Sequence, residues 1–226
     1  MFHWMEKNPF FFTVFLFVVI AYAGLVEILP NFAEQSRPVV GKTPYTVLQL
    51  AGKEVYVKEN CMSCHSQMVR PFKNETDRYG MYSLSGEYAY DRPFLWGSKR
   101  TGPDLHRVGN YRSTDWHENH MKEPATIVPG SIMPKYPWLF TNAANLETAY
   151  AEAVTVKKVF NTPYTAQMLT INDENPQAGF DATKMTILDE AKLIAADMKD
   201  PEVKAAIAAG NVPEIVALIA YLNSLK

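Results

Sequence analysis

Cysteine is nearly absent from this sequence, which carries two in 226 residues. That excludes a fold stapled by several disulfides. A cationic excess is also missing, because 22 Lys and Arg are set against 24 Asp and Glu. Phosphate binding needs concentrated positive charge, so a nucleic-acid partner is not expected. No short-period repeat or low-complexity tract stands out, and strand signals are sparse. What remains is an ordinary folded composition, 47% hydrophobic and 20% charged, with a mainly helical pattern and room for one domain plus something extra.

The extra part is one long apolar run, "FFFTVFLFVVIAYAGLVEIL", residues 10–29. Twenty helical residues rise ~30 Å, the thickness of a bilayer core. Pro9 and Pro30 bracket it, and Trp4 and Tyr22 suit the interfaces. Ala21-Tyr22-Ala23 resembles a signal-peptidase site, but the run is longer than the ~7–15 residues of a signal core. The expectation is therefore a retained anchor over residues 1–30. The flanking lysines and arginines do not settle its orientation.

Residues 31–44 read as a linker rich in proline and glycine, and 45–226 as the main domain. Apolar spacing predicts a helix over 45–60, a short one over 113–123 capped by Ser113 or Thr114, and helices over 143–160, 188–209 and 212–225. Residues 66–110 are turn-rich and aromatic. "PGSIMPKYPWL", 129–139, holds three prolines and is expected to be an ordered loop. Loops this long need an organiser other than secondary structure.

Both cysteines fall in Cys61-Met-Ser-Cys64-His65, a complete C-x-x-C-H, the pattern of covalent c-type haem attachment. Each thiol adds to one vinyl group, and the histidine behind them reaches iron. A zinc site lacks a second ligand pair, a thioredoxin-like dithiol lacks a βαβ context, and a plain disulfide leaves His65 unexplained. For the sixth ligand the chain offers ten methionines and the histidines His3, His106, His117 and His120. Met133 is the best placed, because Pro129, Pro134 and Pro137 stiffen its loop. A Met/His pair suits electron transfer, whereas His117 or His120 would give a bis-His haem of lower potential. In "TGPDL", 101–105, Pro103 can offer its carbonyl to the axial histidine and Leu105 can pack on its ring. Lys99 and Arg100 stand next to these, as partners for the haem propionates or as a solvated charge pair.

Three strings, "NCMSCHSQMVRPFKNETDRYG", "WGSKRTGPDLHRVG" and "MPKYPWL", together with the anchor, resemble subunit II of the cbb3-type cytochrome c oxidases. The resemblance covers the anchor to about residue 140 and the C-terminal helix, and residues 141–211 match none of its motifs. It implies a mainly α chain with an N-terminal transmembrane helix and a class I cytochrome c-type haem domain with long loops. It also implies one covalently attached haem c held by Cys61 and Cys64, with His65 proximal and Met133 distal. The chain would be single-pass in a bacterial inner membrane, with its haem domain in the periplasm. Its partners would be a di-haem cytochrome c subunit as donor and a haem–copper catalytic subunit, which reduces O2, as acceptor. In the fold implied, the first and last helices of the haem domain cross, and Gly52 and Tyr56 are placed to meet Leu218, Tyr221 and Leu222.

Two other functions are compatible with the motifs. One is a free-standing, membrane-anchored cytochrome c that shuttles electrons. The other is a haem enzyme with a vacant iron site, which a Met133 ligand would disfavour. Segment 79–96, with Tyr79, Tyr82, Tyr88, Tyr90, Phe94 and Trp96, is expected to serve haem packing, a subunit interface, or both.

Overall fold

The computed structural model describes residues 2–33 and 37–226. The chain divides into two compact units, one ending at Arg37 and one running from Pro38 to Lys226. The first holds helices α1 (Phe2–Glu6) and α2 (Pro9–Ala33). Residues Pro9–Leu29 form a 21-residue span of mean hydropathy 2.4 with none of its length buried in the protein. Such a helix is long and apolar enough to cross a bilayer. It continues through Pro30 to Ala33, so the helix outlasts the expected boundary. A proline removes one backbone hydrogen bond but does not oblige a helix to end. Of the expected linker, residues 34–36 lie outside the described residues and 37–44 are non-helical.

The second unit is helical, and no named β-strand occurs among the described residues. It begins with α3 (Val47–Lys58), opened by a capping box in which Thr46 accepts from Gln49 N and the Gln49 side chain accepts from Thr46 N. Then come α4 (Lys73–Tyr79), α5 (Thr114–Lys122) and α6 (Pro124–Ile127). Ser113 is the cap of α5, accepting from Trp116 N at 3.2 Å. Helices α7 (Leu146–Phe160), α8 (Pro176–Ala196), α9 (Pro201–Ala208) and α10 (Glu214–Ser224) complete the chain.

The core lies where α3 crosses α10. Val47, Leu48, Ala51, Val55 and Tyr56 are buried from one side, and every residue from Ile215 to Leu222 from the other. Full burial of a large apolar side chain is worth roughly 1.5–3 kcal/mol. Gly52 permits the close approach, because a Cβ there would stand 1.9 Å from the Ala217 carbonyl oxygen. Tyr221 stacks obliquely on Tyr56 at 5.5 Å and on Tyr45 at 5.7 Å. The five residues expected at the crossing, Gly52, Tyr56, Leu218, Tyr221 and Leu222, are all buried there.

Residues 141–211 form a second helical layer. Ala149, Tyr150 and Ala153 of α7, Ile187 and Ala191 of α8, and Val203 and Ile207 of α9 join the same core. The single helix expected over 188–209 is instead two. Pro201 cannot continue α8, and Asp200 caps the new start by accepting from Glu202 N and Val203 N. The first of the two begins earlier, at Pro176, with Asn175 as its cap. Pro213 precedes α10 as its cap residue rather than sitting in its first turn.

Candidate haem site

The thiol pair lies where α3 ends. Asn60 takes a left-handed conformation (φ 56°), which stops the helix and throws the chain into a single 3-10 turn, Cys61–Ser63. The Cys61 carbonyl accepts both Cys64 N (3.2 Å) and His65 N (3.0 Å), and Ser63 Oγ donates to the Asn60 carbonyl. Both cysteines are unpaired, Cys61 half-buried and Cys64 exposed. Burial pushes the Cys61 thiol up to about 12. A thiol held protonated is a poor dithiol nucleophile.

His65 Nδ1 stands 2.8 Å from the Pro103 carbonyl oxygen. A carbonyl only accepts, so Nδ1 carries the hydrogen and Nε2 keeps its lone pair. Burial lowers the His65 pKa, which favours the neutral, ligating form. The clamp is shaped for the ring: a Cβ on Gly102 would stand 2.3 Å from His65 Cε1. Gly102 N also donates to the Cys64 carbonyl, and Leu105 N to the Ser66 carbonyl. The "TGPDL" segment is thereby hydrogen-bonded alongside the motif. Leu105 is partly buried and packs on the main core.

Arg100 has other partners than those expected of it. Its Nε donates to Ser66 Oγ (2.6 Å) and its Nη2 to the Met68 carbonyl and to Glu75, both at 2.8 Å. Glu75, only 3% exposed, also accepts from Arg70 Nε and Arg70 N. The Arg100 and Arg70 hydrogen bonds hold its carboxyl at about 2. Asp104 accepts from Ser66 Oγ, Met68 N and His106 N. Sequence reading missed Asp104 and Glu75. The only signal was their place inside the two strings, since nothing local says that acids 29 residues apart share one arginine.

The Met133 loop is tied to α5 and to the residue that follows it. Tyr136 N donates to the Met121 carbonyl of α5 at 3.0 Å, and Lys135 pairs with Glu123. Tyr136 lies within electrostatic reach of Cys61 and Cys64, which raise its pKa beyond the effect of burial, to about 12. Met133, three residues earlier, is half-buried and packs on the core. On α5, His120 lies within electrostatic reach of His65. His117 is 1% exposed, and among the described residues neither of its ring nitrogens has a hydrogen-bond partner, nor has His120 Nδ1. Burial lowers both histidines to about 4, so they are neutral at ordinary pH.

The residues present fit a c-type haem: two unpaired thiols on one turn, a neutral imidazole with Nε2 open, and a glycine where any side chain would displace that ring. No group of three or more His, Cys, Asp or Glu that could hold a metal ion occurs among the described residues. A search of curated proteins returns no match. A family model described as cytochrome c oxidase, mono-heme subunit/FixO, matches residues 2–226. The thiol pair, the clamped histidine and a match spanning essentially the whole chain agree, and the protein belongs to this family of mono-haem cytochrome c oxidase subunits.

Proposed function

We propose that this chain is the membrane-anchored c-type cytochrome subunit of a cbb3-type oxidase, relaying electrons from a di-haem cytochrome c subunit to the haem–copper subunit that reduces O2. The observation that carries it is His65, its Nδ1 held by the Pro103 carbonyl and its Nε2 open, directly behind two unpaired thiols. Cys61 and Cys64 would hold the group by adding their S–H bonds across its two vinyl groups, leaving thioethers. His65 Nε2 and Met133 Sδ would be the residues that hold its iron. Bound haem supplies a one-electron iron centre. Pro103 keeps the imidazole in one tautomer and orientation, which makes it a stronger ligand. Met133 as a thioether ligand would favour the reduced form and would keep small molecules off the iron. Leu105 and Met133, both partly buried against the core, would help to keep water from the group. Arg100 positions residues 66–68 beside the motif.

The apolar N-terminal helix supports a single-pass membrane subunit, and haem attached at Cys61 and Cys64 would require a periplasmic domain. The test is extraction in mild detergent, then a native gel with haem staining and an O2-uptake assay. Co-migration with further haem subunits and with O2 consumption is expected. A lone haem-staining band at the chain's own mass, inert to O2, would leave a free-standing anchored cytochrome and end the oxidase assignment.

A further inference from the structure

On the side of the Pro103 clamp lies a cavity of about 270 Å³ whose wall includes Arg70, Asn74, Glu75, Arg78, Arg100 and Pro103. Three guanidinium groups converge there. Two carboxylates lie nearby, and both are committed. Glu75 accepts from Arg70 and Arg100, and Asp104 accepts from Ser66, Met68 N and His106 N and, at 3.5 Å, from Arg100 Nη2. Arg78 has no carboxylate within ion-pair distance among the described residues. Its guanidinium carbon instead lies 5.1 Å from the Tyr79 ring centre, a ring that Arg100 also approaches at 5.3 Å. Three cations against two committed acids leave an uncompensated positive charge facing a concave space. Asn74 adds an amide donor to its wall.

We propose that this pocket is an oxyanion site that takes a carboxylate or phosphate group, and that its occupancy tunes the haem potential. The second half rests on the haem reading above. Guanidinium forks match the paired oxygens of either group. Arg70 and Arg100 are fixed by Glu75, so much of the ordering cost is met before an anion arrives. Arg78 is the free arm. One wall of the pocket, Pro103, holds the iron-ligating imidazole at 2.8 Å. An anion there stabilises the oxidised iron, which carries one more positive charge, and so lowers the potential. Two sources share this chemistry: phosphate from solution and a propionate of the protein's own haem.

The experiment uses the full chain in detergent. Haem staining is scored first, so that loss of stain sinks the haem reading without touching the anion site. Inorganic phosphate is titrated at constant ionic strength by calorimetry and in a redox titration, on the native chain and on Arg78→Gln. A saturable heat, roughly tenfold or more weaker in Arg78→Gln, with a midpoint falling as phosphate is added, is expected if the site takes a solution oxyanion. No heat, but a lower midpoint in Arg78→Gln at every phosphate level, is expected if a propionate fills it. A heat that Arg78→Gln leaves unchanged, or no heat with identical midpoints, overturns the site. A heat lost in the variant while phosphate never moves the midpoint overturns the coupling. Arg78→Lys, which keeps the charge and loses the fork, should recover part of whichever effect is seen.

Discussion

One ring nitrogen of His65 is committed to Pro103 and the other has no hydrogen-bond partner among the described residues, and that asymmetry rests on the absence of a side chain at Gly102. Gly102→Ala would drive a methyl to 2.3 Å from the ring, so the ring or the 101–105 segment must move. The expected outcome is loss of the native haem spectrum, with haem stain per chain reduced several-fold. Unchanged spectra would mean that the clamp is not needed. Met133→Leu should leave the thioethers intact and open the sixth position to CO, read as a CO difference spectrum. A flat spectrum would assign the ligand elsewhere, with His120 the first to examine. Glu75 gives a prediction in pH. Its folded pKa, about 2, lies below the ordinary 4.5, so its contribution is present above 4.5 and is lost as pH falls toward 2. Urea midpoints should fall through that window, and Glu75→Gln should start lower and flatten the slope. At this scale the sequence was legible wherever chemistry is local. Cys61, Cys64, His65 and Pro103 sit in short strings whose spacing already encodes their geometry. Asp104 and Glu75 did not announce themselves, because their meaning depends on Arg100 meeting them in three dimensions. Arg100 was read as a partner for the propionates or as part of a solvated charge pair, and its hydrogen bonds add a tie between segments.

Helices declared themselves in the sequence when one face was apolar and both ends were marked. Helix α3 has its capping box, and α10 is buried along nearly its whole length. Helix α4 was not legible. Its seven residues, KNETDRY, are polar, and it is held by Glu75 inside the arginine knot rather than by an apolar stripe. The break between α8 and α9 was legible in principle, since Asp200-Pro201 is a cap followed by a first-turn proline, but apolar spacing alone runs across it. The crossing of α3 on α10 offers the sharpest test among the elements. Gly52→Ala places a methyl 1.9 Å from the Ala217 carbonyl oxygen and 2.8 Å from Tyr221 Cβ, neither of which is a flexible side-chain tip. Overpacking of this kind costs about 1–3 kcal/mol or more, and the thermal midpoint should drop by several degrees. A midpoint within a degree of the native one would show that the axes can part without loss. Tyr221 Oη donates to Gln67 Oε1 at 2.9 Å, so the same substitution should also loosen the segment behind His65.

The two compact units, up to Arg37 and from Pro38 onward, suggest separable tasks for the whole molecule. If the anchor is replaced by a cleavable export signal, the remainder should appear in the soluble fraction and still stain for haem. A stain lost with the anchor would mean that the helical domain depends on it for maturation. The anchor was legible as a hydropathy run, although its reach past Pro30 was not. The packing of residues 141–211 was not legible at all, because no motif marks them and only their apolar faces join α7, α8 and α9 to the core.

The meeting of α3 and α10 also sets an order of events in time. Lys58, at the end of α3, donates to Glu214 at the start of α10 across 156 residues of sequence. At ~5–20 residues per second of synthesis, roughly 8–30 s separate the emergence of these partners. Until α10 arrives, α3 lacks the helix it crosses, and the turn bearing Cys61 and Cys64 hangs from an unfinished core. The arrival of α10 is therefore what completes the crossing beside the thiols. A cofactor that must be joined to both thiols has that interval in which to reach them.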